Sequence, residues 1–157
     1  SNYGSTRIGF STSPVELISF DSNISFGKDV AFNDENPELG KEFNFRATLR
    51  LQLNNNLSIN NLFSYSRLKE MNTIDYYYKG FINRLDTKYQ FSKFIGLRLA
   101  AEYNDFSESI FLQPLFEWTP NPFTIFYVGG NQNLIMEQEY FTDRSQFFIK
   151  FRYLISL

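Results

Sequence analysis

Residues 147–157 read FFIKFRYLISL. At a period of two, Phe147, Ile149, Phe151, Tyr153, Ile155 and Leu157 fall on one face. Phe148, Lys150, Arg152, Leu154 and Ser156 fall on the other. The first face is apolar throughout and the second carries both charges. A β-strand alternates its side chains in this way. Terminal segments usually fray unless they are tied down, so a fully patterned strand here is expected to close a sheet.

The same alternation recurs upstream. Over 41–53, Phe43, Phe45, Ala47, Leu49, Leu51 and Leu53 alternate with Glu42, Asn44, Arg46, Thr48, Arg50 and Gln52. Over 95–105, Ile95, Leu97, Leu99, Ala101 and Tyr103 alternate with Gly96, Arg98, Ala100, Glu102 and Asn104. Strands are expected near 3–11, 15–32, 41–53, 57–68, 74–91, 95–105, 110–119, 123–130 and 145–157. Ser13-Pro14, Asn54-Asn55-Asn56 and Pro120-Asn121-Pro122 read as turns, Gly27 as a bulge, and 131–145 as a long polar loop. No stretch keeps a helical period beyond about ten residues. The chain is all-β, with about nine strands joined in sequence.

Face parity tests the hairpins, because opposed residues share a face. The expected turns pair Leu53 with Leu57, Phe91 with Ile95, Tyr89 with Leu97, and Trp118 with Phe123. Each pair sets apolar against apolar. The same register puts Arg84 across from Glu102 on the polar face, which predicts an ion pair.

Composition narrows the class. The chain has 157 residues, a net charge of −2 and 19% aromatics, including 19 Phe and 10 Tyr. Its sequence pI is about 5.2 and its mean hydropathy −0.32. The acidic balance argues against nucleic acid as a partner. With no cysteine and no histidine, these residues build no disulfide, no thiolate or imidazole metal site and no Ser-His pair. No apolar run reaches the ~20 residues of a membrane helix. A polar chain dense in alternating aromatics fits an antiparallel sheet with one apolar and one wet face. A transmembrane barrel turns the apolar face outward.

Loop lengths point the same way. Connections near 12–14, 54–56, 92–94 and 119–122 are short, whereas those at 33–40, 69–73, 105–109 and 131–145 are mostly longer and more polar. Short periplasmic turns and longer extracellular loops mark an outer-membrane barrel. The expected fold is an antiparallel up-and-down transmembrane β-barrel in the bacterial outer membrane, its C-terminus periplasmic. Single-chain bacterial barrels hold even strand numbers. Nine strands therefore imply the C-terminal part of a larger barrel. Without the first strand, the alternative is a complete barrel of eight.

The sites follow from parity. Arg46, Arg50, Arg84, Lys88, Arg98, Lys150 and Arg152, with Glu42, Asp86 and Glu102, would line the lumen. They form either a cationic path for anions or sugars or, the weightier reading, a lumen filled by mutual ion pairs. Tyr89, Phe91, Trp118, Phe123, Phe151 and Tyr153 would face lipid as an interfacial girdle. Tyr65, Tyr76, Tyr78 and Tyr103 would lie toward the other rim. The acids Asp34, Glu35, Glu38, Glu137, Glu139 and Asp143 lack a calcium-loop spacing, and Glu102 and Glu117 show no convergence for carboxylate catalysis. No cofactor, metal or catalytic residue is expected. The expected partners are membrane lipid and lipopolysaccharide, the barrel-assembly machinery through the C-terminal strand, and other outer-membrane proteins in a complex.

Tyr89-Gln90-Phe91, Leu97-Arg98, Glu102-Tyr103-Asn104, Pro120-Asn121-Pro122-Phe123-Thr124 and Lys150-Phe151-Arg152-Tyr153 together carry a resemblance. They resemble the C-terminal barrel of a Bacteroidetes-type outer-membrane family, catalogued as domain of unknown function 5916. The match covers roughly the last half of the chain. It departs at Phe123, where the family usually has a small residue, and at Leu157, where barrels commonly end on an aromatic. The resemblance implies a carbohydrate-binding-like domain ahead of Ser1; it does not imply a catalytic residue here. The expected role is an anchor or a transport or secretion component for a glycan-related domain. An outer-membrane enzyme with its active site elsewhere and a soluble lipocalin-like barrel are the alternatives.

Overall fold

The computed structural model describes residues 4–31, 38–71, 73–136 and 140–154. They form a single antiparallel sheet of nine strands and, among the described residues, no helix. The strands are β1 (Ser5–Val15), β2 (Ile18–Ala31), β3 (Glu38–Gln52), β4 (Leu57–Glu70) and β5 (Tyr76–Ser92), followed by β6 (Ile95–Asn104), β7 (Ser109–Asn121), β8 (Thr124–Met136) and β9 (Tyr140–Tyr153). Each pairs only with its chain neighbours, so the sheet is a pure meander in the order β1 to β9.

The expected closure is not present. Among the described residues, β9 pairs with β8 alone and β1 with β2 alone, which leaves one edge of each open. In a nine-strand meander the first and last strands run in the same direction. A direct β1–β9 seam would therefore be parallel, unlike every other pair.

Several boundaries differ from the sequence reading. Ser13-Pro14 lies inside β1, and the turn falls at 16–17. β1 is an edge strand, where proline's missing donor costs nothing in the ladder. Gly27 is no bulge: the β2–β3 register runs through it unbroken. It lies under the start of β1 instead, where a Cβ would come within 2.6 Å of Gly4 O. The 131–145 segment is largely strand, since β8 runs to Met136 and β9 begins at Tyr140. Its polar residues face each other across the ladder: Asn131 Nδ2 donates to Gln146 Oε1 at 3.3 Å, and Asn133 Nδ2 to Asp143 Oδ2 at 3.3 Å.

Turn chemistry explains the hairpin ends. Asn54 Oδ1 accepts from Asn56 N and Leu57 N at 2.8 and 2.9 Å. Asn104 Oδ1 accepts from Phe106 N, and Asn121 Oδ1 from Phe123 N, each at 3.0 Å. Ser92 Oγ accepts from Phe94 N at 3.2 Å. These side chains mimic a backbone turn. The Pro120-Asn121-Pro122 turn is thereby moved to 122–123, and Trp118 opposes Phe126 rather than Phe123. Phe91 does not oppose Ile95 either: the register shifts between Gln90 and Ser92, and Ser92 takes that place. Leu53 and Leu57 do meet, with Leu53 N donating to Leu57 O at 3.0 Å, and Tyr89 opposes Leu97.

Burial is the most informative property of the sheet. Among the described residues the one buried hydrophobic side chain is Leu68, 2% exposed. Large apolar residues stand open across one face, from Phe10 at 59% to Phe147 at 73%. A water-soluble domain of this length buries a contiguous core; here the apolar face has no cover.

Candidate functional site

The register divides the sheet into two faces. One carries Asp21, Arg46, Arg50, Asn60, Arg84, Asp86, Lys88, Arg98, Glu102 and Glu117, each opposed by another member of the same face. This face is concave. Residues of β2 to β7 and of β9, with the 16–17 turn, together line a cavity of ≈ 840 Å³. That volume lies within the range of small-molecule sites.

Arg84 stands across from Glu102, as expected, with Nη1 3.6 Å from Oε2. It also donates Nε to Asp86 Oδ2 at 3.0 Å. Arg98 reaches Glu117 at 3.6 Å. Arg50 reaches Asp21 at 2.5 Å, and Ser11 Oγ donates to the same carboxylate at 2.6 Å. The Asp21 partner is missing from the sequence reading, which did not fix the β2–β3 register. Lys88 meets a like charge instead. It lies directly opposite Arg98, another cation, and has no carboxylate within 4 Å among the described residues. Arg46, Lys150 and Arg152 also lack an ion-pair partner among those residues.

The wall of the cavity includes one apolar corner. Phe148, on β9, opposes Gly129, which opposes Leu115. A Cβ on Gly129 would lie 2.8 Å from Phe148 Cζ and 2.9 Å from Leu115 Cδ1. The glycine is there to let the ring lie flat over β8. At the other end of the concave face, Leu68 opposes Tyr78, whose ring meets Phe106 edge-on at 6.3 Å. Phe106 covers Gly80, where a Cβ would approach to 2.9 Å. Tyr78 therefore lies on the concave face, near the start of β5. The register shift between Leu68 and Lys69 places Tyr76 on the opposite face from Tyr78 despite their shared parity.

Comparison of the chain with family models, curated proteins and solved structures returned no match. What the surface can do is read from its own geometry.

On the convex face the aromatic side chains form two ladders. Phe45, Phe63, Phe81 and Tyr103 touch in succession across β3 to β6, with centroids 5.5–6.2 Å apart. Trp118, Phe126, Phe151 and Tyr153 do the same across β7 to β9, at 4.9–6.5 Å. Tyr89 and Phe91 meet edge-on at 4.6 Å at the same end as the second ladder. Phe123 sits in the 122–123 turn, beyond the ladder, half exposed. Phe147 and Ile149 stand open on β9; Ile155 and Leu157 lie outside the described residues.

Among the described residues, the two carboxylates weighed for paired chemistry, Glu102 and Glu117, do not converge. Glu117 opposes Gly96, six positions along β6 from Glu102. At ~3.3 Å per residue, their backbone positions are offset by about 20 Å along the strands, well beyond the ~5–9.5 Å between the carboxyls of paired-carboxylate chemistry. Of the acids considered for calcium, Asp34, Glu35, Glu137 and Glu139 lie outside the described residues, as does the Glu38 side chain. Among the described residues no three acidic groups cluster.

Proposed function

We propose that the chain is part of the wall of a transmembrane β-barrel, its convex face against lipid and its concave face toward the lumen. One observation carries this reading: the apolar face of all nine strands is uncovered, with Leu68 the one buried hydrophobic among the described residues. At about 25 cal/mol per Å² of apolar surface, that face needs an apolar medium. Strand length agrees. The strands run from 10 to 17 residues, and a membrane strand needs ~9–11. On β5, Phe81 and Tyr89 are eight positions apart, about 27 Å along the strand. A tilt of ~40° reduces this to roughly 20 Å, close to the ~25 Å apolar band of outer-membrane barrels.

The same reading places the chain in a bacterial outer membrane, among its lipids and lipopolysaccharide, as an anchor or transport component. The resemblance noted above supplies the glycan-related domain that it would serve. What weighs against the lipocalin-like alternative is that such a pocket needs its aromatic face inward. An active site elsewhere in the protein remains the other alternative, and no residue of this chain is assigned to it.

The absence of cysteine gives a clean test. Single cysteines at Phe63, Leu97 and Phe116 are compared with neighbours at Ser64, Arg98 and Glu117 in vesicles. Convex positions should be protected from a water-soluble maleimide and quenched by brominated lipid; concave positions should label readily. Equal labelling of both sets, in a chain that is monomeric without detergent, overturns the membrane reading.

A further inference from the structure

The convex face is not apolar to its edge. Toward the 32–37 and 71–75 connections, Lys28 stands opposite Lys41, and Lys41 opposite Lys69. One step inward, Arg67 stands opposite both Phe43 and Lys79. Five cations on four adjacent strands thus share the face that carries Phe26, Phe43, Tyr65 and Phe81. Among the described residues none of the five has a carboxylate within 4 Å. On the concave face Arg50, Arg84 and Arg98 each meet an acid, and among the described residues Arg46, Lys88, Lys150 and Arg152 do not. What sets the convex row apart is that Lys28, Lys41 and Lys69 stand directly opposite one another in succession, as do Arg67 and Lys79. Like charges directly opposed destabilise a sheet, so this row is an unfavourable arrangement in the protein by itself.

The row borders the aromatic ladder on one side. The Arg67 guanidinium lies 5.1 Å over the Phe43 ring, and Lys79 Nζ 5.7 Å over the Tyr76 ring. Rings and cations in this order match the order of a membrane surface, where aromatic side chains sit at the interface and cations reach the head groups. Three strand spacings of ~4.8 Å spread the row over about 15 Å. A phosphate presents several acceptor oxygens to such donors, and a polybasic row beside a membrane favours anionic lipid.

We propose that Lys28, Lys41, Arg67, Lys69 and Lys79 form a docking row for the phosphate groups of lipid head groups. The proposal rests on the convex face meeting lipid, and it adds which lipid is held and where.

Spin-labelled lipid distinguishes the two claims. The full chain is reconstituted in phosphatidylcholine vesicles doped with spin-labelled phosphatidic acid or spin-labelled phosphatidylcholine. A motionally restricted component with either probe reports lipid on the convex face. The row is reported by selectivity. Phosphatidic acid should be preferred at least threefold, and the preference should fall toward unity in 0.5 M NaCl and in the Lys41→Gln, Arg67→Gln, Lys79→Gln triple variant. A variant neutralised on the concave face, Arg46→Gln, Lys88→Gln, Lys150→Gln, should keep it. Restricted lipid without preference, or a preference that the triple variant retains, overturns the docking row. Absence of restricted lipid with either probe overturns the membrane reading and the row together. Should the triple variant fail to fold, the salt dependence and the single variants carry the same decision.

Discussion

At the scale of single residues, the concave face is governed by register, and its one conflict is Lys88. Opposed to Arg98 and without an acid partner, it contributes repulsion of a kind worth ~0.2–1 kcal/mol between cross-strand neighbours. Lys88→Gln should therefore raise the midpoint of urea unfolding in vesicles, whereas Glu102→Gln, which leaves Arg84 with Asp86 alone, should lower it slightly. The second effect is small because the Arg84 side chain is 41% exposed, and exposed pairs are screened. Gly129 is less tolerant. In Gly129→Ala the new methyl meets Phe148 Cζ, Leu115 Cδ1 and, at 3.0 Å, Pro114 O. Overpacking of this kind costs about 1–3 kcal/mol. Phe148→Leu in the same chain should recover part of that loss, since the backbone contact to Pro114 remains; full recovery would mean that Pro114 O yields freely. The Arg84–Glu102 pair was legible in the sequence because alternation around a short turn fixes it. The Leu68–Tyr78–Phe106 cluster was not, because an extra residue at Tyr77 breaks the parity on which such reasoning depends. The cation row was legible in principle: Lys41 shares parity with Phe43 and Phe45, and a charge on an apolar face is a signal in itself.

At the scale of elements, the strands were read wherever an apolar face alternates with a polar one, and were misread where both faces are polar. Asn131, Gln132 and Asn133 look like a loop in the sequence, yet they extend β8, and β9 begins at Tyr140, five residues ahead of the expected strand at 145–157. The Asn131 amide donates to the Gln146 amide oxygen and the Asn133 amide to the Asp143 carboxylate across the ladder. Proline misled in the other direction, since Pro14 sits on an edge strand. Pro114 falls where the β7–β8 pairing skips Gln113 and Pro114 before it resumes in the same register. Turns depend on a few side chains. Asn54 bonds two backbone donors of the β3–β4 connection, and Asn56 Nδ2 reaches across to Gln90 O at 2.6 Å. Each net hydrogen bond contributes about 0.5–1.5 kcal/mol. Asn54→Ala should destabilise the sheet by about 1 kcal/mol in urea unfolding, and Asn55→Ala, with no such bond among the described contacts, should be close to neutral. Equal effects would mean that the turn is held by its strands and not by the Asn54 carbonyl.

At the scale of the whole molecule, the open edges of β1 and β9 are what the proposed membrane setting cannot leave as they are. Each unpaired backbone group in hydrocarbon costs several kcal/mol, and a full strand edge presents a row of them. Two arrangements would remove the edges. In one, β1 and β9 pair directly in a parallel seam. In the other, further strands of the full protein stand between them, and an odd number of these keeps every pair antiparallel. Charge favours the second. The concave face of β9 carries Arg144, Lys150 and Arg152, with no acid opposite them on β8, where Asn133, Tyr127 and Ile125 stand. β1 offers Arg7 on that face, so a direct seam would add a cation to three. A partner strand with inward carboxylates would balance them. Double-cysteine variants of the full-length protein decide between these arrangements; residues 1–157 hold no cysteine, and any thiol outside them is first replaced by serine. Thr6, Ile8 and Phe10 on β1 are each combined with Phe147, Ile149 and Phe151 on β9, and the nine pairs are treated with a short bifunctional maleimide in vesicles. Direct pairing would bring at least one pair within the ~5 Å of adjacent strands and yield an intramolecular cross-link. Intervening strands separate every pair by about 10 Å or more, so all nine should fail to cross-link, while Phe126→Cys with Phe151→Cys, opposed on β8 and β9, should react.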